Sequence, residues 1–221
     1  MKSVPMAVPV PEAQVDYSVG VHYLADLLAR ATIIVLFSMM CVRFATDFLD
    51  TGRITGLFLL LSEAIVVVLT LVRRSPRTVD RSVKARILTV VSVIGPPLLA
   101  PAAVAAFLSE TVTVALSCAG LAIVIAGKMT LGRSFALLPA NRGVVSTGLY
   151  RLVRHPIYMG YLVSHLAFLA ASPSAWNIAA LVVADGALLA RAVCEEQTLA
   201  KDPAYRDYQA RVRWRVVPGI F

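Results

Sequence analysis

Gly148-Leu-Tyr-Arg-Leu-Val-Arg-His-Pro-Ile-Tyr-Met-Gly160 is a basic, polar stretch wedged between two apolar runs, and the fold is read outward from it. Pro156 suits the first position of a helix, where its missing N–H would have had no partner and its φ is already helical. The spacing therefore predicts a helix starting at Pro156, with Arg154 and His155 at its mouth. A helix start offers unpaired N–H groups and partial positive charge to an anion, and Arg151, Arg154 and His155 add to that field. Read locally, the stretch is either an anion-binding helix start at a membrane surface or a positive flank that only orients its neighbours. The local residues leave both readings open.

Composition decides the solvent. Of the 221 residues, 58% are hydrophobic and 15% charged, and mean hydropathy is +0.77. Soluble domains usually carry roughly a quarter charged residues, so this is the composition of an integral membrane protein. The net charge of +8 comes in blocks between apolar runs, which fits membrane orientation and anionic headgroups rather than nucleic acid. Cys41, Cys118 and Cys194 are isolated, and His155 has no nearby Cys or second His, so neither a disulfide framework nor a metal site is indicated. The short, Pro-rich start carries no cleavage pattern of a removed signal peptide.

Apolar runs predict an all-α, polytopic chain with helices near residues 27–44, 54–72, 87–107, 112–131, 156–171 and 175–193. Four approach the ~20 residues that cross a bilayer. The last two form a hairpin that either spans completely or falls short, so about five to six transmembrane helices are expected. Gly95-Pro96-Pro97 and Pro101 should kink the third. Residues 1–131 read as N-terminal transmembrane helices, and 132–221 as a second region with a loop, the hairpin and an interfacial tail.

Loop charge sets the orientation. Arg73, Arg74, Arg77, Arg81, Lys84 and Arg86 fill one loop; Lys128, Arg133, Arg142, Arg151 and Arg154 flank another; Lys201, Arg206, Arg211, Arg213 and Arg215 lie in the tail. The opposite side offers only Arg53, so the basic loops and both termini are expected in the cytoplasm. That side holds every candidate site segment. In the tail, Tyr205, Tyr208 and Trp214 alternate with basic residues, as in an interfacial amphipathic helix.

Ionisable groups inside spans are functional hypotheses by default. Arg43 and Glu63 read equally as a structural pair, and Asp185 has no partner nameable from sequence. Arg191 and Glu195, four apart, share a helix face, while Glu196 points elsewhere. They read as a surface ion pair worth a few tenths of a kcal/mol, or as a site with one group for a cation and one for an anion.

Taken together, Gly148-x-Tyr150, Arg154-His-Pro-x-Tyr158-x-Gly160, Arg191-x-x-x-Glu195-Glu196-x-x-Leu199 and Tyr205-x-x-Tyr208 resemble the isoprenylcysteine carboxyl methyltransferase family. Phospholipid N-methyltransferases share the pattern more loosely. The resemblance runs from about Gly132 to Pro218. It implies a membrane enzyme that transfers the methyl of S-adenosylmethionine, with the cofactor enclosed by the cytoplasmic segments. By position it implies cofactor contacts at Tyr150, His155, Pro156, Ile157, Tyr158 and Glu195. A further lining segment aligns with Ala140, Arg142, Gly143, Val144 and Val145. Arg191 matches the arginine that holds the acceptor's carboxylate.

The expectation is carboxyl O-methylation of a prenylated cysteine or a similar amphiphilic carboxylate, reached from the membrane. An amine acceptor would need a base, and none stands out. The alternatives are a phospholipid or small-molecule methyltransferase, an NADPH-dependent sterol-type reductase with a similar Arg-His-x-x-Tyr-x-Gly turn, and a non-enzymatic membrane scaffold. Oligomeric state is not read from the sequence.

Overall fold

The computed structural model describes residues 17–72, 83–131 and 144–221. Among them the chain forms seven α-helices and no strand: α1 Tyr17–Thr51, α2 Thr55–Val72, α3 Val83–Ile94, α4 Glu110–Leu131, α5 Pro156–Ala171, α6 Ala175–Leu199 and α7 Pro203–Arg211. Helix ends follow local chemistry. Pro156 and Pro203 open α5 and α7 at their first turns. The Ser174 side chain accepts from Asn177 N–H to cap α6, and Asp202 accepts from Ala204 N–H to cap α7. Glu110 opens α4 and reaches α2, where Oε1 accepts from Ile54 N–H at 2.8 Å and Thr55 N–H at 3.2 Å. An anion there meets the unpaired donors of a helix start.

Several expected boundaries change: α1 begins at Tyr17 rather than 27, α3 at Val83 rather than 87, and α6 runs on to Leu199 rather than 193. The first helix runs on through Asp47 and Asp50 to Thr51 and stops at Gly52, whose φ of 71° suits a residue without Cβ. The third does not kink at its prolines but ends there. Two adjacent prolines remove two backbone donors, so the α-helical ladder cannot continue past them, and α3 has 12 residues and spans about 18 Å. A single 3₁₀ turn, Pro96–Leu98, follows. The irregular backbone beyond it is tied down by Asn177, fully buried, whose Oδ1 accepts from Ala100 N–H at 3.2 Å. Its Nδ2 donates to Ala100 O and Ser172 O at 2.8 and 2.9 Å. Irregular backbone is tolerated at membrane depth only when protein groups satisfy it in this way.

Helices α4 and α5 pack against each other and both touch α2, while α3 packs on α6. The α4–α5 contact depends on small residues. A Cβ at Gly120 would lie 2.9 Å from Gly160 O, and one at Gly160 would lie 2.8 Å from Gly120 O, so the backbones touch. Met40, Phe44, Leu59, Leu99, Phe168 and Leu181 form a core cluster, with Phe44 and Phe168 edge-to-face at 5.2 Å. Facing outward, Leu49, Val68, Met129, Leu166 and Val182 are each more than half exposed. Such apolar exterior suits lipid rather than water. Among the described residues three helical stretches are long and apolar enough to cross a membrane: Arg30–Thr51, Glu110–Leu131 and Ala175–Leu199; Pro156–Ala171 is shorter.

The intramembrane charges pair differently from the sequence expectation. Arg43 donates to Pro97 O at 2.9 Å instead of meeting Glu63. Glu63 lies 3.6 Å from His165 Nε2, and His165 Nδ1 lies 2.6 Å from Asp185 Oδ1. Asp185 thus has a partner, and one imidazole on α5 links α2 to α6.

Candidate functional site

The quoted stretch is held from both sides. Gly148 has φ +55°, and a Cβ there would lie 2.9 Å from Thr130 Oγ1, so a side chain is excluded twice. The 3₁₀ turn Gly148–Arg151 then buries Tyr150. Val153 pairs with Trp214 as a single parallel bridge. Arg154 N–H donates to Trp214 O at 2.9 Å and His155 N–H to Arg215 O at 2.7 Å. The C-terminal segment therefore straps the mouth of α5.

Arg154 and His155 do stand at that mouth, yet their anion is internal. Arg154 donates Nε–H to Glu196 Oε1 at 2.6 Å and Nη2–H to Oε2 at 3.1 Å, a bidentate pair. Its Nη1 donates to Val212 O and Arg213 O. His155 Nε2 lies 3.2 Å from Glu196 Oε1, and Arg215 and Gln209 donate to Oε2 at 2.7 and 3.3 Å. Glu196, 3% exposed, is a hub that joins α6 to the α5 start, α7 and the tail. Sequence spacing rightly turned it away from Arg191 and Glu195 but missed this role. Its partners lie 13 to 42 positions away, and the only local signal was the Glu195-Glu196 doublet.

On the other side of α6, Tyr158 donates its hydroxyl to Glu195, 2.9 Å from Oε1 and 3.0 Å from Oε2. Arg191 donates Nε–H to Glu195 Oε1 at 2.8 Å, and its guanidinium lies 5.8 Å from the centre of the Tyr158 ring. His155 stacks on Tyr158 at 5.2 Å, with Nδ1 4.0 Å from Glu195 Oε2. Residues Tyr158, His155, Arg191 and Glu195 thus converge, and the Glu195 side chain is 36% exposed. A carboxylate has about four lone-pair sites, so it retains capacity for a further donor.

Tyr150 joins this region through its backbone, whose carbonyl accepts from Tyr208 OH at 2.8 Å. Burial pushes the Tyr208 phenol up to about 12 and the Tyr150 and Tyr205 phenols well above their usual range, so all three are protonated donors at neutral pH. Tyr205, Tyr208 and Val212 form a buried cluster with Val144 packed against it. The aromatic face of α7 therefore packs on the protein, and Arg206, Asp207 and Arg211 are outward.

Pro156 and Ile157 are buried where α5 meets α4, close to Gly127, so packing is what the structure gives them. Val145 is half-buried before the 3₁₀ turn. Ala140, Arg142 and Gly143 lie outside the described residues.

Residues 111–201 match the family model described as Isoprenylcysteine carboxyl methyltransferase (ICMT) family, rather less than half of the chain. The match takes in nearly all of α4 and all of α5 and α6, starting earlier than the motifs and stopping before α7. It supports that family and an enzyme of that kind, a membrane methyltransferase. No curated protein matches the chain.

Proposed function

We propose that this protein methylates the carboxylate of a lipophilic acceptor, a prenylated cysteine or a similar amphiphile, with S-adenosylmethionine as donor. The site would face the cytoplasm at the end of a bundle of five to six spans. One observation carries the reading. Glu195 is fixed by Tyr158 on one side and Arg191 on the other, while the terminal nitrogens of Arg191 have no hydrogen-bond partner among the described residues.

The donor set fits the cofactor. Glu195 has acceptor capacity for an amino group or ribose hydroxyls, and His155 and Tyr158 supply rings beside it. Arg154 is committed to Glu196, so it is not the group that would meet the cofactor's carboxylate. Ala140, Arg142, Gly143, Val144 and Val145 are candidates by position alone. When bound, S-adenosylmethionine supplies a methyl group already activated by its sulfonium sulfur. The chain's residues then have to align and desolvate rather than move protons. Arg191 would orient the acceptor carboxylate through its planar fork. A carboxylate needs no base near neutral pH, which suits a site whose partly exposed carboxylate, Glu195, is already held by two donors.

Cofactor binding tests the reading first. Calorimetric titration with S-adenosylhomocysteine should give a saturable site, weakened about tenfold to a hundredfold by Glu195→Ala, the loss of one charged hydrogen bond. NADPH should give no heat. A chain that binds NADPH and ignores S-adenosylhomocysteine would be a reductase instead.

A further inference from the structure

Lys128 lies in the last turn of α4. Its Nζ is shielded from solvent and has no hydrogen-bond partner among the described residues. A buried ammonium without a hydrogen-bond partner is costly, and native structures rarely leave one so. The ammonium sits 5.6 Å from the centre of the Tyr161 ring. Tyr161 lies on α5 three residues beyond Tyr158, whose ring centre is 5.8 Å from the Arg191 guanidinium on α6, and its hydroxyl has no partner among the described residues. Glu63 on α2 makes no ion pair with it among the described residues and lies instead against His165.

An ammonium, a phenol and the free end of a guanidinium therefore face one region between α4, α5 and α6. All three are donors, and none has an acceptor. Such a set is complementary to an anion that only accepts. We infer that Lys128 and Tyr161, together with Arg191, hold the anionic head of the methyl acceptor, which makes Lys128 a specificity-determining residue. The inference rests on the methyl-transfer reading above and adds what selects the acceptor: charge at the head rather than the apolar tail. A phospholipid amine would put a cation against Lys128 and be rejected. The competing account makes Lys128 a counter-charge for Glu63 and for the carbonyl end of α4.

The test measures binding of N-acetyl-S-farnesylcysteine and of its carboxamide to the full chain in detergent, saturated with S-adenosylhomocysteine. The native chain should prefer the acid at least about tenfold. Lys128→Met should remove most of that preference and leave S-adenosylhomocysteine affinity and the unfolding midpoint in place. Lys128→Arg should keep part of it, and Tyr161→Phe should lower it about threefold. Equal binding of acid and amide by the native chain overturns the inference, as does a full preference in Lys128→Met. If Lys128→Met does not fold, Tyr161→Phe decides by the same ratio, an unchanged preference counting against the site. A native chain that selects the acid through Lys128 yet transfers no methyl would keep this inference and lose the methyl-transfer reading.

Discussion

Arg191 donates one N–H to Glu195 at 2.8 Å and keeps the other end of its guanidinium unbonded among the described residues. A residue that merely paired with Glu195 would weaken cofactor binding when lost; one that orients the acceptor would not. We predict that Arg191→Ala lowers turnover by at least about tenfold to a hundredfold while S-adenosylhomocysteine affinity changes little. Arg191→Lys should rescue little, because an ammonium lacks the planar fork. A parallel fall in affinity and rate would remove the acceptor-orienting role. Glu196 belongs to a different class. It is buried among Arg154, His155, Arg215 and Gln209, so Glu196→Ala should strand buried cations and cost about 3–5 kcal/mol. Thermal unfolding of the detergent-solubilised protein checks this, and an unchanged midpoint contradicts it.

At the scale of elements, the strap formed by α7 and the tail leans on Tyr208 OH donating to Tyr150 O. The folded Tyr208 phenol sits at about 12, above its unfolded value near 10. The folded state therefore holds the proton more tightly. Its contribution is complete below pH 10 and is lost as pH rises from about 10 to about 12. Tyr208→Phe should remove about 1 kcal/mol at neutral pH and flatten stability between those limits; an equally steep alkaline loss in the variant would assign it to other phenols. Helix α5 depends on its approach to α4. Gly160→Ala would place a methyl 2.6 Å from Val124 Cγ2 and 2.8 Å from Gly120 O, costing about 1–3 kcal/mol. It should also weaken S-adenosylhomocysteine binding, since α5 carries His155 and Tyr158. Unaltered unfolding and affinity would mean the two helices part freely.

The α5 start was legible because Pro156 fixes a boundary by local sterics, and Arg191 and Glu195 were legible because four-residue spacing is a helix face. Local rules stop there. Nothing within a few positions of Asp185 names His165, and nothing near Glu63 says that it turns to that imidazole rather than to Arg43. Those pairings are set by which helices pack. The same holds for Glu196, whose partners come from the residues just before α5, from α7 and from the tail. The adjacent prolines were visible, but whether a helix bends or ends at them depends on Asn177 and Arg43 accepting and donating across the bundle.

For the whole molecule, the asymmetry of Lys and Arg predicts that the α5–α6 turn faces away from the site. Ser174→Cys should react with an impermeant thiol reagent only from the non-cytoplasmic face; labelling from the cytoplasmic face alone would invert the topology. The central claim concerns chemistry, methyl transfer to a lipophilic carboxylate. The most direct measurement incubates the purified protein with methyl-labelled S-adenosylmethionine and a panel of N-acetyl-S-farnesylcysteine, fatty acids, phosphatidylethanolamine and thiols. The account predicts label in the farnesylcysteine as a base-labile ester that releases labelled methanol. Label in the phospholipid amine with no ester formed, or no transfer to any lipophilic acceptor, would contradict it.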